Sequence, residues 1–162
     1  MCVVIIAAIS ENNVIGLENK IPWYIKEDMK RFRDLTLNHS VIMGRKTYDS
    51  LPQKVKPLPQ RRNIVLSRTL KESEGIYVAK SVEEALRLSE GERYVIGGRK
   101  VYEVFLPLAE RMELTRVHQD FVGDAFFPEV RWDDWNLVSK TKCLGKESIF
   151  YSFLSYSRVK KY

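Results

Sequence analysis

The sequence predicts an α/β fold: a mostly parallel central sheet flanked by about four helices, with a C-terminal antiparallel hairpin. Three observations carry this. Val3–Ile9 is a continuous, β-branched apolar run, the mark of a strand buried on both faces. Strand-like and helix-like segments then alternate, which argues for crossover connections. Finally, Asn136–Lys140 and Ser148–Ser157 are both strand-like, with only a turn region at Gly145 between them.

Taken in order, further strands are expected at Ser40–Met43, Asn63–Leu66, Ile76–Ala79, Tyr94–Ile96 and Glu113–Val117. Helices are expected at Ile25–Leu37, from about Thr47, at Ser81–Ser89 behind a Ser81/Glu84 capping box, and at Lys100–Leu106, closed by Pro107. Ser10–Tyr24 and the triple-proline stretch Pro52–Gln60 read as long loops. At 162 residues and 44% hydrophobic content, residues 1–162 are read as a single domain.

The net charge of +6 suits an anionic partner. Lys and Arg are scattered and not interleaved with aromatics, which favours small anions over nucleic acid. Cys2 and Cys143 show no CxxC spacing and no metal-ligand pattern with His39 or His118, so a reduced thiol pair, no metal and a cytoplasmic setting are expected. The first apolar run lacks a basic leader and is too short to span a bilayer. No long exposed apolar edge is evident, and a monomer is expected.

Asp28 is the most informative residue. Turned at about 100° per residue from Ile25, Met29 falls near about 40°, Phe32 near about 340° and Leu35 near about 280°. Asp28 falls inside that apolar stripe, at about 300°. Lys26, Glu27, Lys30, Arg31, Arg33 and Asp34 form the solvated face. A lone carboxylate is seldom buried without a partner or a task, and helix geometry alone leaves room for a structural acid bonded to an amide or an Arg.

Ligands of open α/β sheets collect at the carboxyl ends of strands. Gly44-Arg45-Lys46-Thr47 follows one strand and offers a close-approach glycine, two cations and a hydroxyl. Ser67-Arg68 follows the next and suits a second phosphate, with Lys80 leaving the strand after it. Gly97-Gly98 precedes another helix, where missing Cβ atoms let a pyrophosphate lie against the backbone. GxGxxG is absent, which argues against an ordinary Rossmann domain, and no GxSxG elbow supports nucleophilic catalysis. The pattern describes a protein that holds a phosphorylated dinucleotide beside a pocket with one buried acid.

Several motifs stand in order: Ile6-Ala7-Ala8, Val14-Ile15-Gly16, Pro22-Trp23 with Asp28, Met43-Gly44-Arg45, Pro57-Leu58-Pro59 before Arg61-Arg62-Asn63, Ile96-Gly97-Gly98 with Tyr102, and Gly123-Asp124 before Phe127-Pro128. On these, the chain resembles the dihydrofolate reductase family in its single-domain microbial form, from Val3 to about Tyr156. The resemblance implies NADPH-dependent reduction of 7,8-dihydrofolate to tetrahydrofolate, with diaminopyrimidine or pteridine antifolates as inhibitors. It implies that Asp28 promotes protonation of the pterin, with Trp23, Thr115 and Tyr102 as the other catalytic positions and Thr115 bridging to the Asp28 carboxylate. Ile6, Ala7, Met29, Phe32, Leu51, Leu58 and Ile96 would contact substrate, and Arg61 would grip the α-carboxylate of the glutamate tail. For the cofactor it implies Ala8, Ile15, Gly16, Asn19 and Ile21; Gly44, Arg45, Lys46 and Thr47; Leu66, Ser67, Arg68 and Lys80; and Gly97, Gly98, Arg99, Lys100, Val101 and Val104. It further implies a cis Gly97–Gly98 peptide and a Ser10–Tyr24 lid.

The chain departs from the family pattern at Ala125, where a Thr is usual, at Gln60, where a Gly is usual, at the lengthened stretch Gln53–Lys56 and at Arg99, where a small residue is usual. Two other readings remain open at this point. One is the riboflavin-pathway pyrimidine reductase of the same fold. The other is a non-catalytic nucleotide- or RNA-binding module.

Overall fold

In the computed structural model, which describes residues 2–161, the buried β-branched runs pair into one eight-stranded sheet. The elements run β1 (Val3–Ser10), β2 (Val14–Gly16), α1 (Lys26–Thr36), β3 (Ser40–Gly44), α2 (Arg45–Ser50), β4 (Arg62–Leu66), β5 (Ile76–Ala79) and α3 (Val82–Leu88). They continue through β6 (Arg93–Gly97), α4 (Arg99–Phe105), β7 (Arg111–Val117), β8 (Ala125–Phe126), β9 (Trp135–Leu144) and β10 (Phe150–Arg158). Sheet order is β5-β4-β3-β6-β1-β7-β10-β9. The pairs from β5 through β7 are parallel, whereas β10 is antiparallel to both β7 and β9. The expected mostly parallel sheet with an antiparallel hairpin at one edge is therefore present.

Boundaries differ for local reasons. α2 starts at Arg45 and not near Thr47, because Gly44 ends β3 in an extended conformation and already serves as the helix cap. α4 likewise starts at Arg99 behind Gly98. Pro107 does not stop the chain's turning; it sits inside a 3-10 turn, Leu106–Leu108, where a missing N–H costs little. The hairpin strand β9 runs on to Leu144. Ser10–Tyr24 is not all loop: β2 within it pairs with β8. Just beyond, Leu17 and Lys20 exchange main-chain hydrogen bonds across Glu18 and Asn19, whose φ values of 50° and 64° make a tight left-handed turn. The Ser81/Glu84 box forms with a one-residue offset: the Glu84 N–H donates to Ser81 Oγ at 3.1 Å, while the Glu84 carboxylate accepts from the Lys80 N–H at 3.1 Å.

Alternation along β1 divides the core. Val3, Ile5, Ala7 and Ile9 face one apolar cluster with Tyr102 and Phe105 of α4 and Ala85 of α3. Val4 and Ile6 face the other, with Val41, Met43 and Val65 and with Phe32 and Leu35 of α1. No helix among the described residues is long and apolar enough to cross a membrane.

Candidate active site

The acid lies where the helical wheel put it. The Thr115 hydroxyl, on a β7 residue that is 2% exposed, donates to Asp28 Oδ1 at 2.5 Å. Burial pushes the Asp28 carboxyl above the usual carboxylate range, while the Thr115 hydrogen bond and the Arg31 charge pull it back. The wheel misplaces Arg31. It is not on the solvated face: its Nη2 meets Glu113 Oε2 at 2.7 Å, with side chains 21% and 10% exposed.

Around Asp28, Ile6 and Leu58 are buried, Phe32, Leu51 and Ile96 are half-buried, and Met29 remains 51% exposed. All of these but Met29 share one apolar cluster on the α1 face of the sheet. Ala7, by contrast, points to the opposite face of the sheet, so its side chain does not join that cluster. Arg61 crosses the end of α1, donating to Thr36 Oγ1 at 3.1 Å and to the Pro59 carbonyl at 3.0 Å. Its guanidinium lies 5.8 Å from the centre of the Phe32 ring, and burial together with the neighbouring Arg33 lowers its proton affinity. The Trp23 ring rests 4.9 Å from that of Phe121, and Ile21 beside it is exposed.

Register places the basic strand ends together. Gly44 is level with Leu66, Leu66 with Ala79, and Met43 with Gly97, so four adjacent strands end on one line. Arg45, Lys46, Arg68, Lys80, Arg99 and Lys100 follow those ends and are exposed. Thr47 Oγ1 would lie 3.6 Å from a Cβ added to Gly98, and Val101 Cγ2 would lie 3.1 Å from one added to Gly44, so the starts of α2 and α4 adjoin. Neither start has a side-chain cap, unlike α3. The Gly97–Gly98 peptide is cis, as the resemblance implies. Tyr102 is buried beneath it, and its hydroxyl donates to the Ile6 carbonyl at 2.8 Å. Ala8 in β1 and Ile15 and Gly16 in β2 are half-buried, while Asn19 is exposed at the turn after β2 and Val104 is exposed on α4. Three expected phosphate contacts have local partners already: Ser67 Oγ accepts the Thr69 and Leu70 amides, Arg99 pairs with Glu103 at 2.8 Å, and Arg45 pairs with Asp49 at 3.5 Å.

Sequence reasoning missed three residues that shape this site. Glu113 anchors Arg31, and its alternation with Met112 and Leu114 in β7 was the available signal. Asn63 is fully buried and holds the loop before it, accepting the Leu58 N–H and donating to the Leu58 and Arg61 carbonyls, each at 2.9 Å. Asp124 accepts the Glu18 N–H at 3.0 Å and so ties the β2 turn to the segment after β7.

An open parallel sheet with aligned basic strand ends, beside an apolar cleft containing one desolvated carboxylate, defines a class: an α/β enzyme that pairs an anionic nucleotide with a small ligand rich in N–H groups. The dihydrofolate reductase family model matches residues 2–158. The dihydrofolate reductase of Buchnera aphidicola is 44% identical over 145 residues, covering 88% of this chain and 89% of that protein. That of Neisseria gonorrhoeae is 42% identical over 158 residues, covering 95% and 96%. A solved structure of dihydrofolate reductase from Enterococcus faecalis, complexed with NADP(H) and RAB-propyl, superposes with a TM-score of 0.89 at 32% identity, covering 98% of this chain and 97% of that one. The chain belongs to the dihydrofolate reductase family. This decides against the riboflavin-type and RNA-binding readings.

Proposed function

We infer that this chain reduces 7,8-dihydrofolate to 5,6,7,8-tetrahydrofolate with NADPH, and that Asp28 is its proton-directing acid. The observation that carries the assignment of roles is the Thr115–Asp28 hydrogen bond in an otherwise apolar wall, next to the aligned basic strand ends. Asp28 Oδ1 is engaged by Thr115, which leaves the other carboxylate oxygen and the remaining lone pairs for paired N–H donors on the pterin. An anion there favours a proton on the adjacent imine nitrogen of the substrate, directly or through water. Phe32, Leu51 and Ile96 exclude water from the ring, which strengthens that electrostatic effect. Arg61 presents a fork that suits a carboxylate, and its two anchoring hydrogen bonds fix its direction.

The residues present fit NADPH: exposed cations border glycine-lined backbone at the starts of α2 and α4. Bound there, NADPH supplies the hydride. Arg45, Lys46, Thr47, Ser67, Arg68 and Lys80 would hold its phosphates, and Gly97, Gly98 and Lys100 its pyrophosphate side. Trp23 and Ile21 would cover the reacting atoms, and Tyr102 would support the floor beneath them. Diaminopyrimidine or pteridine antifolates would compete by offering Asp28 the same paired donors. We further propose a cytoplasmic setting, in keeping with two free thiols and a reducing cofactor.

The test is NADPH oxidation on adding dihydrofolate, with the natural protein and Asp28→Asn compared across pH. Activity should collapse in the variant at neutral pH and recover partly in acid, where substrate arrives protonated. Equal activity of the two proteins at neutral pH would remove Asp28 from the mechanism.

A further inference from the structure

One face of α1 is fastened to β7 at three successive steps. Ile25 packs with Val117 and with Tyr151 of β10. Asp28 accepts from Thr115. Arg31, nearly one helical turn further on, meets Glu113. Ile25, which caps α1 in an extended conformation, and helix positions 28 and 31 thus meet alternate strand positions 117, 115 and 113, which all point to one side of the sheet.

The last step is built more heavily than an ordinary ion pair. The Arg31 guanidinium lies 4.5 Å from the centre of the Phe153 ring. Glu113 is 8% exposed, and its Oε2 also accepts the Ser155 hydroxyl at 2.5 Å. Its Oε1 faces Arg111 Nη2 at 3.8 Å. Such a clamp fixes both the direction and the charge of Arg31.

We propose that Arg31 is a positioning residue for Asp28: clamped between Glu113 and Phe153, it locks α1 onto β7 and sets a fixed cation beside the acid. The need is physical. A carboxylate in an apolar wall tends to take up a proton, and a neutral Asp28 could no longer favour protonation of the substrate. The other ionisable groups around it do not supply a cation: Glu27 lies on the same helix, Tyr151 on β10, and Glu113 on β7 is itself acidic, with Arg111 beyond it. Arg31 is the cation nearest to Asp28 in sequence on the packed side of α1.

The test follows the Asp28 carboxyl by carbon NMR during an acid–base titration of the ligand-free protein, so it does not depend on the dihydrofolate reading. Arg31→Met should move the Asp28 midpoint up by on the order of one pH unit, from loss of one charge at short range in partly screened surroundings. Arg31→Lys, which keeps the charge and loses the fork, should move it by less than half as much. If Arg31→Met fails to fold because Glu113 is left alone, Arg31→Met with Glu113→Gln removes both charges and should still raise the midpoint, by a smaller amount. A midpoint within about 0.2 pH unit of the natural protein in Arg31→Met, or in the double variant where Arg31→Met does not fold, overturns the proposal. In turnover, Asp28 should take up its proton at higher pH in Arg31→Met, so the acid limb of the pH profile for hydride transfer should move up by the same amount. If the natural protein does not oxidise NADPH with dihydrofolate, the functional reading falls while the titration still decides the role of Arg31.

Discussion

Gly123 is the position where one methyl group should do most harm. A Cβ added there would lie 2.2 Å from Val14 Cγ1, 2.8 Å from the Gly16 carbonyl oxygen and 3.0 Å from Val14 Cγ2. Ordinary carbon contacts begin at about 3.5 Å, so the segment must retreat by about 1.3 Å. Val14 cannot yield, since it is fully buried at the start of β2. Retreat breaks two bonds that join β2 and the turn after it to the start of β8: Asp124 N–H to the Gly16 carbonyl, and Glu18 N–H to Asp124 Oδ2, both 3.0 Å. Overpacking costs about 1–3 kcal/mol and each lost bond about 1 kcal/mol. Gly123→Ala should therefore lower unfolding free energy in urea by about 1–3 kcal/mol if the whole segment stays docked under strain. If the segment lifts away, the cost appears in the docking of the β2 turn, whose docked-to-lifted ratio should fall about 30-fold for about 2 kcal/mol. Single-turnover hydride transfer reads that second outcome. Stability unchanged within about 0.5 kcal/mol, together with a hydride-transfer rate unchanged within about twofold, would refute the close-approach argument.

Three further outcomes are expected. Asp28→Asn should fold more stably than the natural protein near neutral pH, by on the order of 1 kcal/mol in urea melts. The sign follows from a folded-state proton affinity raised by burial: the ionised acid costs stability above its folded midpoint, the cost vanishes as pH falls, and the two proteins should converge in acid. Asn63→Ala leaves three main-chain groups without their partner in a fully buried position and should cost about 3 kcal/mol. Because Arg61 is held through the same loop, the KM for dihydrofolate should rise in that variant more than kcat falls. Gln60→Gly should stabilise, since Gln60 is held at a φ of 57°. Relief of about 1–2 kcal/mol outweighs the added unfolded-state freedom of about 0.4–1 kcal/mol, and a fall in the urea midpoint would contradict this.

The legible part of this fold was the part governed by periodicity. β-branched runs gave the parallel strands, and the 3.6-residue pattern gave α1 and set Asp28 inside its stripe. The strand-end cations were legible as types, and their alignment is a matter of register, which no single segment reports. β2 and β8 were invisible because a strand of three residues paired with one of two carries no periodic signal and exists only through the contact between distant segments. Arg31 was misread for a related reason. A helical wheel shows which side a residue takes, but only the partner strand decides whether an acid waits there, and Glu113 is 82 residues away in sequence.

That pairing of α1 and β7 answers a conflict built into the site. A helix usually docks by covering its whole apolar stripe, yet Met29 is 51% exposed and Phe32 only half-buried, and in the function proposed above those side chains border the space that the substrate enters. The helix therefore cannot rely on apolar burial at its working edge. Thr115 and Glu113 hold it from the other side through Asp28 and Arg31, and directional polar bonds fix helix rotation more sharply than non-directional burial does. The acid is thus part of the fastening that aims it, so a substitution at Asp28, Arg31 or Glu113 should alter the orientation of α1 as well as its charge. Substitutions at Ile25 and Val117 should act through packing and not through charge, on stability and on the seating of Trp23, which rests on the same apolar cluster.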